Sequence, residues 1–259
     1  MKLPIWQVDA FATHRFEGNP AAVVLLDEWL APKTMQAVAM ENNLSETAFL
    51  VPNGEAWGLK WFTPTAEVDL CGHATLASAH VLFHEGRVDG EVARFESLSG
   101  PLSAARDGDR IVLDFPARPP EPVDIDDAVV EALGARPNEL LRSNDLLAIF
   151  ETEADVAALR PEFRKVAALP GECVIASAPG DACDFVSRYF APSFGIDEDP
   201  ATGSAHCILT PYWSKRLDKT SLRALQISKR GAELWCEDQG DRIAIAGRAA
   251  LYMKGEIEI

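Results

Sequence analysis

At 259 residues the chain is long for one compact core and comfortable for two domains of ordinary size. Apolar residues supply 47% and charged residues 25%, the balance of a folded globular protein, which excludes extended disorder. With 40 acidic against 24 basic side chains the net charge is -16, a surface that repels phosphate backbones and argues against nucleic acid as a partner.

In chain order, residues 1–9 lack an apolar signal core and a small-residue cleavage site, and read as the first strand of the fold. The longest apolar run, Ala21-Ala22-Val23-Val24-Leu25-Leu26, is far short of the ~20 residues that span a bilayer, so no membrane association is expected. Strand-like runs fall at 3–10, 21–26, 47–51, 59–62 and 110–115, with helices at 32–42, opened by Pro32, and at 74–84. The segment 115–122 holds four prolines in eight residues, too stiff for helix and unsuited to a central strand. It predicts a boundary between domains 1–116 and 117–248. A helix at 126–133 follows, then strands at 146–151, 173–177 and 185–190, and a helix at 204–215 that Pro211 should kink or loosen. Strands at 224–228, 233–237, 242–246 and 249–254 end the chain.

The two halves look alike. Trp61-Phe62-Thr63-Pro64 leads through an acidic turn to Cys71-Gly72-His73-Ala74 and a helix. Tyr189-Phe190-Ala191-Pro192 leads through a longer acidic turn to Thr202-Gly203-Ser204-Ala205 and a helix, and strands at 46–51 and 172–177 precede the two copies. A duplication on this scale predicts two similar domains, each aiming a small-residue helix start at a shared cleft. Five widely spaced cysteines, Cys71, Cys173, Cys183, Cys207 and Cys236, contain no C-x-x-C. That spacing fits neither a disulfide framework nor a structural zinc site, and suggests a reducing, cytoplasmic setting.

Helix starts rich in Gly leave backbone N–H groups without intrahelical partners, beside about half a positive charge from the helix dipole. The turns at Gly72 and Gly203 could therefore hold a carboxylate or an enolate-like oxygen, or could simply permit tight strand-to-helix turns. Glu46 enters an apolar strand, where partial burial raises a carboxyl toward the range of a general base; an edge-strand Glu in water is the plainer alternative. Ser45 could hold that carboxylate or cap a turn. Among Asp197, Glu198 and Asp199, the last could stabilise a helix start or pair with His73 and set its protonation. His80 and His84 stand four apart on a helix, but no H-E-x-x-H accompanies them, so no metal is expected. Neither a dinucleotide fingerprint nor a P-loop occurs, and Ser204 is not in a G-x-S-x-G elbow.

Several segments in order resemble the PhzF family of phenazine biosynthesis. They are Val8-Asp9-Ala10-Phe11 with Phe16-Glu17-Gly18-Asn19-Pro20-Ala21-Ala22-Val23, and Leu44-Ser45-Glu46-Thr47-Ala48-Phe49. Further on come Phe62-Thr63-Pro64 with Glu67 and Cys71-Gly72-His73-Ala74-Thr75, then Glu198-Asp199-Pro200-Ala201-Thr202-Gly203-Ser204-Ala205. The resemblance implies an α+β fold like diaminopimelate epimerase. Its two pseudo-symmetric domains are each a curled, mostly antiparallel sheet around a central helix. The site lies between them, and the final strand, about 249–259, returns to the first domain.

The resemblance also implies a cofactor-independent, homodimeric isomerase acting in biosynthesis on a small carboxylated molecule, cyclic or amino-acid-like. Glu46 matches the acid/base glutamate, and His73, Asp199 and Ser204 match the other polar site residues. Gly72, Ala74, Gly203 and Ala205 match the backbone donors, with Ser45 and Thr202 beside them as substrate contacts. Epimerase relatives use two thiols; here Cys71 falls at the first place but Thr202 at the second. A threonine hydroxyl is far too weak an acid or base near neutral pH, which leaves Glu46 as the more credible base. Cys71 is then a packing residue or a relic of ancestry. An amino-acid epimerase or racemase using Glu46 or Cys71, and a non-catalytic small-molecule binding protein, are the alternatives.

Overall fold

The computed structural model describes residues 1–171 and 173–259; Glu172, at the head of the expected strand 172–177, lies outside the described residues. The chain divides into two units, Met1–Asp114 with Ala246–Ile259, and Phe115–Ile245. No helix among the described residues is long and apolar enough to cross a membrane.

In the first unit the order is β1 (Lys2–Ala10), β2 (Asn19–Leu25), α1 (Pro32–Asn42), β3 (Glu46–Asn53), β4 (Ala56–Phe62), β5 (Glu67–Val68), α2 (Gly72–His84), β6 (Val92–Ser97), β7 (Gly100–Asp107) and β8 (Arg110–Pro116). β1 is antiparallel to β2, β2 parallel to β3, β3 antiparallel to β4, and β4 parallel to β6. β5 adds to β4, and β6, β7 and β8 form a meander. Nine of the thirteen residues of α2 are buried, as expected of a helix apolar on every side with sheet around it, and it touches β1, β2, β3, β6 and β7.

The second unit holds β9 (Glu121–Val123), α3 (Asp127–Leu133), β10 (Glu139–Arg142), β11 (Leu146–Ile149), α4 (Glu153–Ala158), α5 (Phe163–Val166), β12 (Val174–Pro179), β13 (Phe185–Ala191), β14 (Ile196–Asp199), α6 (Gly203–Leu217), β15 (Ser221–Gln226), β16 (Ala232–Asp238) and β17 (Arg242–Gly247). Its pairings repeat those of the first: β10 antiparallel to β11, β11 parallel to β12, β12 antiparallel to β13, β13 parallel to β15, β15 antiparallel to β16, with β14 on β13. One role is filled differently. β9 flanks β10, whereas β18 (Ala249–Glu258), the last strand of the chain, flanks β1 in antiparallel register from Lys2 opposite Glu258 to Ala10 opposite Ala249. Both units thus mix mostly antiparallel sheet with few helices, the α+β class that the motifs imply.

Pro211 does not break α6, which runs unbroken from Gly203 to Leu217. A proline frees the carbonyl four residues before it. Here that carbonyl, on Cys207, accepts instead from the Arg118 amide at 2.9 Å, so the helix loses no satisfied group. The donor comes from the proline-rich segment. α6 also buries Trp213 completely, its indole N–H donating to Ser177 Oγ at 2.9 Å and its ring stacked on Phe185 at 5.7 Å.

Candidate active site

Glu46 opens β3 and Asn19 opens β2; because these strands are parallel, both residues lie at the same end of the sheet. The chain reaches β3 by ending α1 at Asn43 in the left-handed region, φ 49°, a conformation that Asn tolerates well. At the same end α2 begins, with Cys71 extended at its N-cap and no side chain capping the first turn. Sequence order thus delivers a carboxylate, an amide, a thiol and an imidazole to one spot.

His73 is 6% exposed. Its Nε2 lies 3.0 Å from Glu46 Oε2, an ion-pair distance, but off the line of an aligned hydrogen bond, so both buried atoms keep bonding capacity in reserve. On the other side of the ring, Nδ1 faces Asn19 Nδ2 at 3.3 Å and Cys71 Sγ at 3.6 Å. Ser45 donates to Asn19 Oδ1 at 3.1 Å, so it acts through Asn19. A primary amide presents either N–H or oxygen, and a serine hydroxyl either donates or accepts.

Burial alone would lower the His73 pKa, but the Cys71 sulfur and the Glu46 carboxylate overcome it and hold the imidazole well above its usual 6.5. A thiolate at Cys71 cannot be the operative anion near pH 7, because burial and the Glu46 charge push that thiol above its usual 9.0. Glu46 is the partner that keeps His73 protonated. His206 runs the other way: burial lowers it to about 4. The charged His73 adds stability that is complete below about 6.5 and is lost as pH rises through its raised pKa. Neutral His206 costs stability as pH falls from about 6.5 toward 4, where the unfolded chain binds the extra proton. In a ring C–H NMR titration His73 is expected to stay protonated above pH 6.5 while His206 titrates near 4. A His73 midpoint below 6.5 would dissolve the ion pair.

The second turn is built in the other unit. Asp199 ends β14, not the first turn of α6, and is 8% exposed; the Thr202 hydroxyl donates to its Oδ2. Gln226 ties the turn together: its Oε1 accepts from the Thr202 amide at 2.8 Å, and its Nε2 donates to Asp199 O at 2.7 Å and Thr202 Oγ1 at 3.1 Å. His206 Nδ1 lies 2.8 Å from the Thr202 carbonyl, which fixes the proton on Nδ1. Thr75 donates to the Cys71 carbonyl from the same position of α2, four residues past the N-cap. Both helices thus anchor the N-cap carbonyl from inside and leave the first-turn amides, at Gly72–Ala74 and Gly203–Ala205, without a side-chain cap. Ser204 is exposed, between buried Gly203 and Ala205.

Glu198, His80 and His84 have partners away from this cluster. Glu198 grips Arg188 through two contacts of 2.8 Å. His80 and His84 stack at 6.1 Å, burial lowers His80 to about 4, and His84 faces Glu85 at 3.1 Å. Asn19, Gln226 and His206 escape sequence reasoning. Asn19 leaves a faint signal, a polar residue between Gly18 and Pro20 at a strand start, whereas Gln226 at a strand end leaves none.

A family model described as phenazine biosynthesis-like protein matches residues 8–255. A Pseudomonas aeruginosa protein named as an uncharacterised isomerase is 54% identical, with 100% of both chains covered. The crystal structure of a PhzF-family protein from Enterococcus faecalis superposes with a TM-score of 0.98 at 48% identity, covering 100% of both chains. A hydroxyproline epimerase from Agrobacterium vitis, solved with bound trans-4-hydroxy-L-proline, shares the fold at a TM-score of 0.67 and 12% identity, over 99% of this chain and 92% of its own.

Proposed function

This chain belongs to the PhzC-PhzF family of phenazine biosynthesis-like proteins, and on that premise we propose that it is a cofactor-independent isomerase in which Glu46 moves a proton on a small carboxylated substrate. The observation that carries the reading is the pairing of half-buried Glu46 with buried His73 at 3.0 Å. Glu46 takes a proton from a carbon next to an activating group, exchanges it with solvent, and delivers one to another position. As its carboxylate is neutralised, the paired imidazolium loses its counter-charge and becomes a better donor toward the negative charge that develops on substrate. Amides of Gly72, His73 and Ala74 supply donors for an anionic oxygen at the start of α2. Asp199, Ser204 and the Gly203–Ala205 amides keep the substrate-orienting roles that the resemblance implies, with Thr202 spent on holding Asp199.

A second reading, an epimerase working through Cys71, draws on the 3.6 Å approach of its thiol to His73. Incubation of the protein with carboxylated cyclic and amino-acid metabolites in deuterated water separates the readings. Proton migration predicts a one-deuterium mass gain at a shifted position; epimerisation predicts it at the α-carbon with inversion. A binding protein gives no exchange in any bound compound. With a substrate in hand, Cys71→Ala is expected to slow turnover by less than about tenfold, a barrier change under about 1.4 kcal/mol. A much larger loss would move the chemistry to the thiol.

A further inference from the structure

Glu46, His73 and Cys71 are also a set of metal ligands. One donor atom from each lies within 4.8 Å of the other two. The set mixes carboxylate oxygen, imidazole nitrogen and sulfur, a combination suited to Zn²⁺ and unsuited to Mg²⁺ or Ca²⁺, which favour all-oxygen shells. Metal–ligand bonds of ~2.0–2.3 Å put neighbouring ligands of a tetrahedral zinc roughly 3.3–3.8 Å apart. The two short separations, 3.0 Å from Glu46 Oε2 to His73 Nε2 and 3.6 Å from Cys71 Sγ to His73 Nδ1, are to different ring nitrogens, so the nitrogen that binds has one ligand already at that spacing and the other must close in from within 4.8 Å. An independent observation concerns bonding capacity: Glu46 Oε2 and His73 Nε2 are buried without an aligned hydrogen-bond partner. The two atoms face each other at 3.0 Å, and the bonding capacity this misaligned pairing leaves unused is what an incoming cation would take up.

We propose that Glu46, His73 and Cys71 bind Zn²⁺ or a similarly thiophilic divalent cation, with the fourth position left open, and that the bound metal switches proton transfer off. The cation is an inhibitor, not a cofactor. It occupies the carboxylate lone pair that would receive the substrate proton. On binding, the sulfur–metal bond replaces the Cys71 S–H bond and a nitrogen–metal bond replaces one N–H of the His73 imidazolium, and both protons pass to solvent. Binding stands on the ligand geometry; only the inhibition rests on the isomerase reading.

The test is a Co²⁺ titration of the full-length, chelator-treated protein. A thiolate-to-cobalt absorption in the near ultraviolet is expected, and Zn²⁺ should displace it. Cys71→Ala is expected to abolish the band and weaken Zn²⁺ binding by at least the ~10–100-fold that loss of even an outer partner of a metal ligand costs. Cys207→Ala, which removes a buried cysteine elsewhere, should leave both unchanged. Should Cys71→Ala misfold, Glu46→Gln serves instead, with weaker affinity and the thiolate band retained. No band in wild type at saturating Co²⁺ overturns the site, as does Zn²⁺ affinity unchanged in Cys71→Ala, which would assign the metal to surface carboxylates. A thiolate band with turnover undiminished would keep the site and overturn the switch.

Discussion

Glu46→Gln is expected to lower solvent-deuterium exchange on a turned-over substrate by about 10²–10⁴-fold, the contribution typical of a general acid–base group. Gln keeps the length and planarity of Glu but has no basic lone pair at neutral pH. It also leaves His73 without its counter-charge, so the imidazole should lose the upward push that Glu46 supplies. The variant therefore carries a built-in control: one NMR titration reports whether the His73 pKa falls while the exchange assay reports the lost chemistry. Substrate affinity should survive, because the amides at the start of α2 remain. Full activity in Glu46→Gln would end the mechanism.

Trp213→Ala should have the largest effect on stability, about 3–5 kcal/mol, the range for deleting a buried aromatic side chain. Trp213 is fully buried, and three contributions vanish together: its apolar area, the 5.7 Å stack on Phe185, and the donor that satisfies Ser177. Ser177 itself donates to Val186 O, so the loss reaches two strands of the second unit. Against a total of about 5–15 kcal/mol this is enough to unfold much of the population at modest denaturant. Urea unfolding followed at more than one probe is the measurement, since a two-unit chain need not unfold in one step. Trp213→Phe should recover most of the loss, leaving about 1 kcal/mol for the missing hydrogen bond. A drop below about 1 kcal/mol in the Ala variant would show that the core repacks around the gap.

The longer helices and most of the strands were legible in the sequence, whereas α4 and α5 are too short to leave a periodic pattern. Pro32 marks the first residue of α1, and residues 74–84 lie within α2, because local chemistry alone sets those starts and apolar runs. β6 and β7 were illegible for a physical reason. In β6 only Ala93 and Phe95 are buried, and the alternating Arg94 and Glu96 face water, so the period-2 signal is only two residues deep. Pro211 is accommodated within α6 by a remedy that no local signal encodes, because the Arg118 amide that takes up the freed carbonyl comes from 93 residues away. At the site, residue types pointed to Glu46 and His73 one at a time, through their motifs. Their proximity depends on a parallel β2–β3 pairing and on where α2 starts, and no local signal encodes either.

β18 has a consequence for synthesis. Every residue of the second unit leaves the ribosome before the strand that flanks β1 exists, so the usual order of assembly, N-terminal domain first, cannot be completed here. The second unit can finish folding on a nascent chain while the first still exposes the edge of β1, with Leu3 and Ile5 among the apolar residues along it. Until residues 249–258 arrive and pair, that edge is open to any extended peptide in reach, which makes the interval before β18 docks the one in which the first unit is exposed to stray strand addition.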